Sequence, residues 1–150
     1  MKYEESLIQQ ELVARFRFRY PQYAKVLFHP VNEGKRTTKV VSNRYGSKVV
    51  CTGGARLKAE GMVKGVADLI LLVPRKGFGA LCLETKTPTG RQDDDQKIWQ
   101  KAAVAAGNKY VVYHSAEEGM QIVEDYLGEA PQNDTDADNL TTLQNILRKE

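Results

Sequence analysis

Two apolar runs joined by a short turn-forming segment constrain the fold of this 150-residue chain more than any other feature. They cover residues 66–73 and 80–85, and the connection reads Pro-Arg-Lys-Gly-Phe-Gly. Apolar runs of this length on either side of proline and glycine predict two strands paired as an antiparallel hairpin. The first run contains an acid, Asp68, and the second ends near another, Glu84. The pattern therefore predicts a buried hairpin that carries carboxylates.

The register of this hairpin decides which side chains meet. If the turn is centred on Lys76, paired residue numbers sum to 152, so residue 70 faces residue 82 and Asp68 faces Glu84. Directly opposed side chains have Cβ atoms about 4.5–5.5 Å apart. Lys86 lies two residues beyond Glu84 and projects from the same face. Two carboxylates and an ammonium group are therefore predicted to meet at the open end of the hairpin.

Opposed carboxylates repel, and each costs free energy to bury unpaired, so a divalent cation between them would stabilise the pair. Oxygen ligands without Cys or His favour Mg²⁺, with Mn²⁺ as a substitute, over zinc. Asp68 and Glu84 would hold the metal, and the carbonyl of Thr85 could add a ligand. Lys86 would orient or deprotonate an attacking water and offset charge on a phosphate. A purely structural cluster of these acids with Lys86 or Lys64 stays open as the alternative.

A helix is predicted over residues 5–20, ended by Pro21. At about 100° per residue, an apolar stripe forms with Glu5 near its centre. The stripe consists of Ile8, Leu12 and Phe16. An acid on the buried side of a helix needs a partner. Glu5 is therefore a candidate ligand of the same metal or of a second one.

The remaining pattern alternates strands and helices. Predicted strands lie at 25–30 and 109–114, and weak strand candidates at 40–41 and 49–51 flank a turn within the polar, basic loop 31–61. Predicted helices lie at 94–106 and 116–127. This order indicates an α/β domain with a central mixed β-sheet flanked by helices. We expect that domain to span 1–128, followed by a polar linker at 129–139 and an amphipathic helix at 140–150.

The start of the helix predicted at 94–106 is close in sequence to the candidate site. Asp93 is a plausible N-cap, because its carboxylate can accept hydrogen bonds from the first turn. Gln96 follows three residues later, where it could anchor that first turn to the site by hydrogen bonds. Gln96 is therefore a further candidate site residue.

The net charge of +3 hides an uneven distribution. Residues 1–60 hold 12 Lys and Arg against 5 Asp and Glu, a local +7, whereas 61–130 and 131–150 each contribute −2. A basic stretch beside an acidic site is typical of a protein that binds a phosphate backbone, although a solvated loop is the alternative. The candidates for phosphate contact are Lys35, Arg36, Lys39, Arg44, Lys48, Arg56, Lys58, Lys64 and Arg91.

Several other classes of protein are disfavoured. The longest apolar run contains Asp68 and stops at Pro74, so we expect no membrane span. The first ten residues contain Glu4 and Glu5, which a secretory signal would not carry. The two cysteines share no metal-ligand spacing, and a reducing cytoplasm suits them.

Several motifs together carry a family resemblance. They are Glu5 with Ile8-Gln9, Phe16-Arg17, Tyr20-Pro21, Asn32, Gly34-Lys35-Arg36, Gly61, the run from Lys64 to Leu69, Glu84-Thr85-Lys86, Gly90-Arg91, Gln96-Lys97 and Gly107. With these motifs the chain resembles stand-alone VRR-NUC domains, nuclease modules of the PD-(D/E)xK superfamily, and especially their phage and prophage members. The resemblance covers residues 5–127.

The resemblance implies a restriction-endonuclease-like core and a set of site residues. It implies metal ligands at Glu5, Asp68 and Glu84, a catalytic lysine at Lys86 and an accessory glutamine at Gln96. Two positions depart from the family pattern. Ala67 stands where the superfamily name has Pro, and Asp93 stands where Ser or Thr is expected, although Asp caps a helix equally well.

The function implied is that of a Mg²⁺-dependent endonuclease acting on DNA in replication, repair or recombination. Branched, flapped or junction DNA is implied by the resemblance alone, as is the cytoplasm of a bacterial or phage-infected cell. Cutting two strands with so small a chain suggests sequential cleavage or a homodimer. Two alternatives stay open, a non-catalytic DNA-binding module and a sequence-specific restriction-type enzyme, although no base-reading helix is recognisable.

Overall fold

The structure is a computed structural model in which residues 2–31, 38–51 and 53–128 are described. Its helices are α1 (Lys2–Arg19), α2 (Gly53–Ala59), α3 (Asp94–Ala105) and α4 (Ala116–Leu127). Its strands are β1 (Leu27–Phe28), β2 (Thr38–Asn43), β3 (Gly46–Cys51), β4 (Leu69–Leu71), β5 (Leu81–Thr85) and β6 (Lys109–Tyr113). The predicted linker at 129–139 and helix at 140–150 lie outside the described residues, as do Lys35 and Arg36.

A mixed β-sheet forms the centre of the described part of the chain, in the order β1-β4-β5-β6. Strand β5 pairs antiparallel with β4 and parallel with β6, because helix α3 provides the crossover that returns the chain to the same direction. Helices α1 and α4 pack against each other and contribute to one core with the sheet. The predicted fold class, a mixed α/β core with flanking helices, is confirmed.

The central hairpin has the predicted register. Leu69 pairs with Leu83, and Leu71 pairs with Leu81, so paired numbers sum to 152. The turn is tight, because Lys76 (φ 50°) and Gly77 (φ 82°) both adopt the left-handed conformation that two-residue hairpin turns require. Strand β4 is shorter than the apolar run at 66–73. At its start, the side chain of Asp68 rather than a backbone carbonyl accepts the hydrogen bond from Thr85 of β5.

The main core lies on one face of the sheet. It includes Leu12 and Phe16 of α1, which are fully buried and confirm the apolar stripe predicted for that helix. Helix α4 approaches closely at Gly119, where a Cβ atom would lie 2.9 Å from side-chain atoms of Leu12 and Tyr113. The close helix contact holds α1 firmly against the sheet.

The segment predicted as a long polar loop contains more regular structure than expected. The weak strand candidates form the two-stranded antiparallel sheet β2–β3. Helix α2 was not predicted, because Gly53 and Gly54 at its start are poor helix formers and its few apolar residues show no clear period. None of the described helices combines the length and apolar character needed to cross a bilayer.

Candidate active site

The candidate site begins where strand β4 begins. Asp68 directly precedes Leu69, and the register of the hairpin places it opposite Glu84. Its carboxylate oxygen Oδ2 accepts a hydrogen bond of 2.9 Å from the backbone N–H of Thr85. This side-chain bond takes the place of the next backbone bond between the strands, so the regular pairing of β4 begins only after Asp68. The N–H and C=O of one residue in an antiparallel strand point the same way, so the carbonyl of Thr85 also points towards the β4 side.

Strand alternation separates the core from the site. Leu81 and Leu83 face the core shared with α1 and α4, whereas Cys82 and Glu84 lie on the opposite face. Glu84 is 0% exposed, because β5 is flanked by strands on both sides and its site face is also covered. Lys86 is 6% exposed, and its Nζ lies 2.7 Å from Oε1 of Glu84. The buried carboxylate therefore has a cationic partner two residues along.

Helix α3 contributes Gln96 to the same carboxylate. Asp93 and Gln96 form a reciprocal cap, in which the Gln96 N–H donates to Asp93 Oδ1 at 2.9 Å and the Asp93 N–H donates to Gln96 Oε1 at 3.0 Å. The side-chain amide of Gln96 then donates through Nε2 to Oε1 of Glu84. One glutamine thus caps the helix with its carbonyl and contacts the site with its amide.

The loop before Asp68 is seated on the start of α3. Gly65 has φ +72°, and a Cβ there would lie 2.3 Å from backbone atoms of Asp95 and 2.6 Å from the Gln96 nitrogen. Only glycine allows both this conformation and this approach. The contact therefore links the position of Asp68 to that of Gln96.

Tyr110 of β6 is a site residue that the sequence did not single out. Its hydroxyl donates to Oε2 of Glu84 at 3.2 Å and accepts from Gln92 Nε2 at 3.1 Å. The ring of Trp99 packs against it, with centroids 6.0 Å apart. The signal in the sequence was a tyrosine within an otherwise aliphatic strand. Assigning that tyrosine to the site requires the parallel β5–β6 register, which no sequence pattern predicts.

Burial and charge shape the ionisation of this cluster. Burial raises the pKa of Glu84, and the nearby charge of Asp68 adds to that effect, against hydrogen bonds from Lys86 and Tyr110 that lower it. Burial alone would lower the pKa of Lys86. The hydrogen bond and charge of Glu84, with the charges of Glu5 and Asp68, outweigh that effect, so the Lys86 pKa is raised. Three acids and one ammonium leave the cluster with excess negative charge when all are ionised.

The histidines and Thr87 lie beside the site without touching its carboxylates. His29 Nδ1 lies 2.6 Å from the backbone oxygen of Asp68, and His114 Nδ1 lies 3.0 Å from that of Thr87. The buried Oγ1 of Thr87 has no hydrogen-bond partner among the described residues. The two histidines thus contact the main chain on either side of the site.

Glu5 lies within reach of the Lys86 ammonium for its charge to act on it. It is half-buried on α1, and its charge acts on the Lys86 ammonium. Among the described residues, however, no three His, Cys, Asp or Glu side chains are arranged to hold a metal ion together. The structure thus brings Asp68, Glu84, Lys86 and Gln96 together, whereas Glu5 lies at the margin.

The donors at the centre fit a hard divalent cation. Carboxylate oxygens of Asp68 and Glu84 and the carbonyl of Thr85 are the ligand types that Mg²⁺ and Mn²⁺ prefer. Within the described residues, Oδ1 of Asp68 receives no protein hydrogen bond, and Oε2 of Glu84 receives one. Each of these oxygens retains lone pairs for a metal. A cation would also offset the excess negative charge of the cluster.

The predicted phosphate contacts are solvent-exposed where their side chains are described. They are Arg44, Lys48, Arg56, Lys58, Lys64 and Arg91. Arg56 donates to Glu60 at 2.8 Å, so it is partly neutralised. Lys39 is a residue of β2. The structural ion cluster considered as an alternative exists only between Lys86 and Glu84, since Lys64 forms no ion pair within the described part of the chain.

Comparison with known proteins supports the fold. A solved structure described as "VRR_NUC domain protein" matches with a TM-score of 0.63 and 16% sequence identity, over 82% of this chain and 87% of that one. No protein-family model matches the chain, and no curated protein matches it. The chain therefore has the fold of a VRR_NUC domain protein, as the resemblance in its motifs predicted.

Proposed function

We propose that this chain is a Mg²⁺-dependent endonuclease that hydrolyses DNA phosphodiester bonds, with branched, flapped or junction DNA as its substrate. The observation that carries the proposal is the meeting of Asp68, Glu84 and Lys86 at the open end of the β4–β5 hairpin. The cluster lies within a fold shared with a VRR_NUC domain protein. Replication, repair or recombination would supply such DNA.

The metal would be held by Asp68 and Glu84, with the carbonyl of Thr85 as a further ligand. Glu5 would bind the same ion or a second one. Bound there, Mg²⁺ would polarise the phosphate and lower the pKa of an attacking water. Manganese would substitute, because it accepts the same oxygen ligands.

The protein side chains would position the reacting groups. Lys86 has three N–H donors and uses one on Glu84, so the others can orient a water and offset negative charge on the phosphate. Gln96 and Tyr110 each donate to a different oxygen of Glu84, which fixes its plane. Such supporting hydrogen bonds are typical of residues that orient a metal ligand.

The basic residues would hold the DNA backbone. No acid lies between Glu33 and Glu60, a stretch that contains seven Lys and Arg. Lys64 and Arg91 flank the carboxylates in sequence and are exposed. A phosphate backbone would contact these cations, whereas the acidic cluster would bind DNA only with a metal present.

The proposal is tested by cleavage of linear duplex, flap and four-way junction DNA in Mg²⁺, in Mn²⁺ and in EDTA. We expect metal-dependent cutting that Asp68→Ala and Lys86→Ala each reduce about 10³-fold or more, because the metal and the ammonium each supply several kcal/mol. Full activity in either variant would end the proposal. Binding without cutting in any metal would instead indicate a non-catalytic DNA-binding module.

Matched controls show the effect of losing the same charges away from the site. Glu117→Ala and Lys101→Ala remove the same charge types from exposed positions on α4 and α3. Both variants should cut like the unmodified protein. Cutting at one short sequence regardless of branching would favour a restriction-type enzyme over the structure-specific one proposed.

A homodimer is part of the proposal, since two strands would then meet two sites. Helix α1 supports it with an apolar stripe on the side away from the core. The stripe includes Tyr3 (76% exposed), Leu7 (47%) and Phe18 (91%), which lie on one helical face. Light scattering should show a dimer that Phe18→Glu dissociates. A monomer in the presence and absence of DNA would contradict this part of the proposal.

A further inference from the structure

Strands β2 and β3 form a ribbon that contributes nothing to the described core. Every side chain from Val40 to Lys48 is exposed, on both faces of the ribbon. Even Val40 and Val41 are 65% and 51% exposed. A two-stranded hairpin with both faces in water is only marginally stable by itself. Its surface is therefore available to a partner.

The tip of the ribbon is ordered by its own hydrogen bonds. Asn43 Oδ1 accepts from the backbone N–H of Tyr45 at 2.9 Å, and the hydroxyls of Ser42 and Ser47 lie 2.8 Å apart across the strands. Gly46 has φ +134°, a conformation that other residues rarely adopt. The contacts at the two-residue turn are thus made within the ribbon itself and involve no residue of the core.

That turn presents an aromatic ring and a cation together. Tyr45 is 86% exposed, and the Arg44 guanidinium lies 5.4 Å from the centroid of its ring. Lys48 is exposed on β3, opposite Val41. An exposed tyrosine beside cations, in a stretch with no acid from 34 to 59, suits a polyanion with accessible aromatic groups. Nucleic acid with unpaired bases has both features.

Duplex DNA is the alternative partner of the ribbon, but it suits the exposed tyrosine less well. A two-stranded ribbon fits the major groove of duplex DNA. There, however, the bases are already stacked on one another, so the Tyr45 ring would have no free base face. Unpaired bases at a branch or flap offer that face, and stacking on an aromatic side chain is the usual way proteins hold them.

We propose that the β2–β3 ribbon recognises branched DNA, with Tyr45 stacked on an unpaired base at the branch and Arg44 and Lys48 on the adjacent phosphates. The inference rests on the proposed function, because it assumes a DNA substrate. It adds the element that distinguishes a branch from plain duplex. The carboxylate site would then cut whichever strand the ribbon positions.

The test compares affinities for flap and duplex DNA of the same sequence, measured by fluorescence anisotropy in EDTA, where no cutting is expected. We expect Tyr45→Ala to weaken flap binding about tenfold and duplex binding less than twofold. Tyr45→Phe retains the ring and should bind like the unmodified protein. Phe78→Ala removes an aromatic side chain from the turn of the β4–β5 hairpin, at the end away from the site, and should change neither affinity.

A 2-aminopurine base at the branch gives a second readout. Its fluorescence should fall when the protein binds, and Tyr45→Ala should abolish that change while Tyr45→Phe keeps it. Equal weakening of flap and duplex binding in Tyr45→Ala would overturn the inference in favour of groove contact. Unchanged binding by that variant would overturn it as well.

The inference and the proposed function fail in distinguishable ways. If the unmodified protein cuts DNA in Mg²⁺ but Tyr45→Ala binds flaps normally, only the inference fails. If the unmodified protein neither binds nor cuts any DNA, both fail. If it binds flap and duplex DNA equally, the inference is overturned while the cleavage assay still decides the function.

Discussion

The β4–β5 and β2–β3 hairpins both have two-residue turns, but their strands lie in different surroundings. In β4–β5, every residue of β5 is buried, and a buried carboxylate and a buried ammonium group lie at the open end. In β2–β3, the residues from Val40 to Lys48 are exposed, and the charges are basic. Strand pairing alone therefore does not determine whether a hairpin buries its side chains or exposes them. The surroundings of each hairpin determine whether its charged groups need a buried partner or remain exposed to solvent.

The largest expected difference between the two regions is the loss of stability when one partner of an ion pair is removed. Removing one partner of a buried pair leaves an uncompensated charge, so Lys86→Met should lower the free energy of unfolding by about 3 kcal/mol in EDTA. Arg56–Glu60 is an exposed pair next to the β2–β3 hairpin, with side chains 80% and 52% exposed, and Arg56→Gln should cost less than about 0.5 kcal/mol. Urea denaturation measures both.

A double variant shows whether the buried charge is the cause. Glu84→Gln together with Lys86→Met should recover most of the loss, because the fully buried carboxylate that lost its partner is removed as well. An equal loss in the double variant would point to packing of the Lys86 stem instead.

The apolar residues give the next contrast. Leu83 is 0% exposed in β5, and Leu83→Ala should cost about 2–5 kcal/mol through the cavity it leaves. Val41 is 51% exposed in β2, and Val41→Ala should stay within about 0.5 kcal/mol of the unmodified protein. Comparable losses in the two variants would mean that the β2–β3 hairpin packs on a partner in solution, such as a second copy.

Tyr110 tests whether the site depends on its supporting hydrogen bonds. Tyr110→Phe removes the hydroxyl that donates to Glu84 and keeps the ring against Trp99. Loss of such a bond to a metal ligand typically costs about 10- to 100-fold in activity or metal affinity. Cleavage rates over a Mg²⁺ titration measure it. Tyr126→Phe is the matched control, because that buried hydroxyl donates to the backbone oxygen of Val73, away from the carboxylates.

The smallest expected effect concerns a single phosphate contact. Lys48→Gln should reduce the slope of log affinity against log salt by about 1 for flap DNA. Lys109→Gln is the control, since Lys109 lies over the Phe78 ring on the central sheet. An unchanged slope in Lys48→Gln would remove this lysine from the DNA interface.

Much of the structure of the central hairpin could be predicted from its sequence. Alternation and turn position together predicted the pairing of Leu69 with Leu83, because both depend only on local backbone geometry. The apolar stripe of α1 followed for the same reason. Helix α2 was missed, because two glycines obscure its start and propensity is a weak signal without tertiary contacts.

The sequence alone therefore predicts most of the local elements and the opposition of Asp68 and Glu84, with Lys86 on the same face. The contacts that Gln96 from α3 and Tyr110 from β6 make with the buried Glu84 depend on the tertiary structure. Those contacts join residues from separate elements, and the parallel pairing of β5 with β6 has no turn to set its register. Local chemistry places a carboxylate on a strand, whereas its partners depend on which elements pack against that strand.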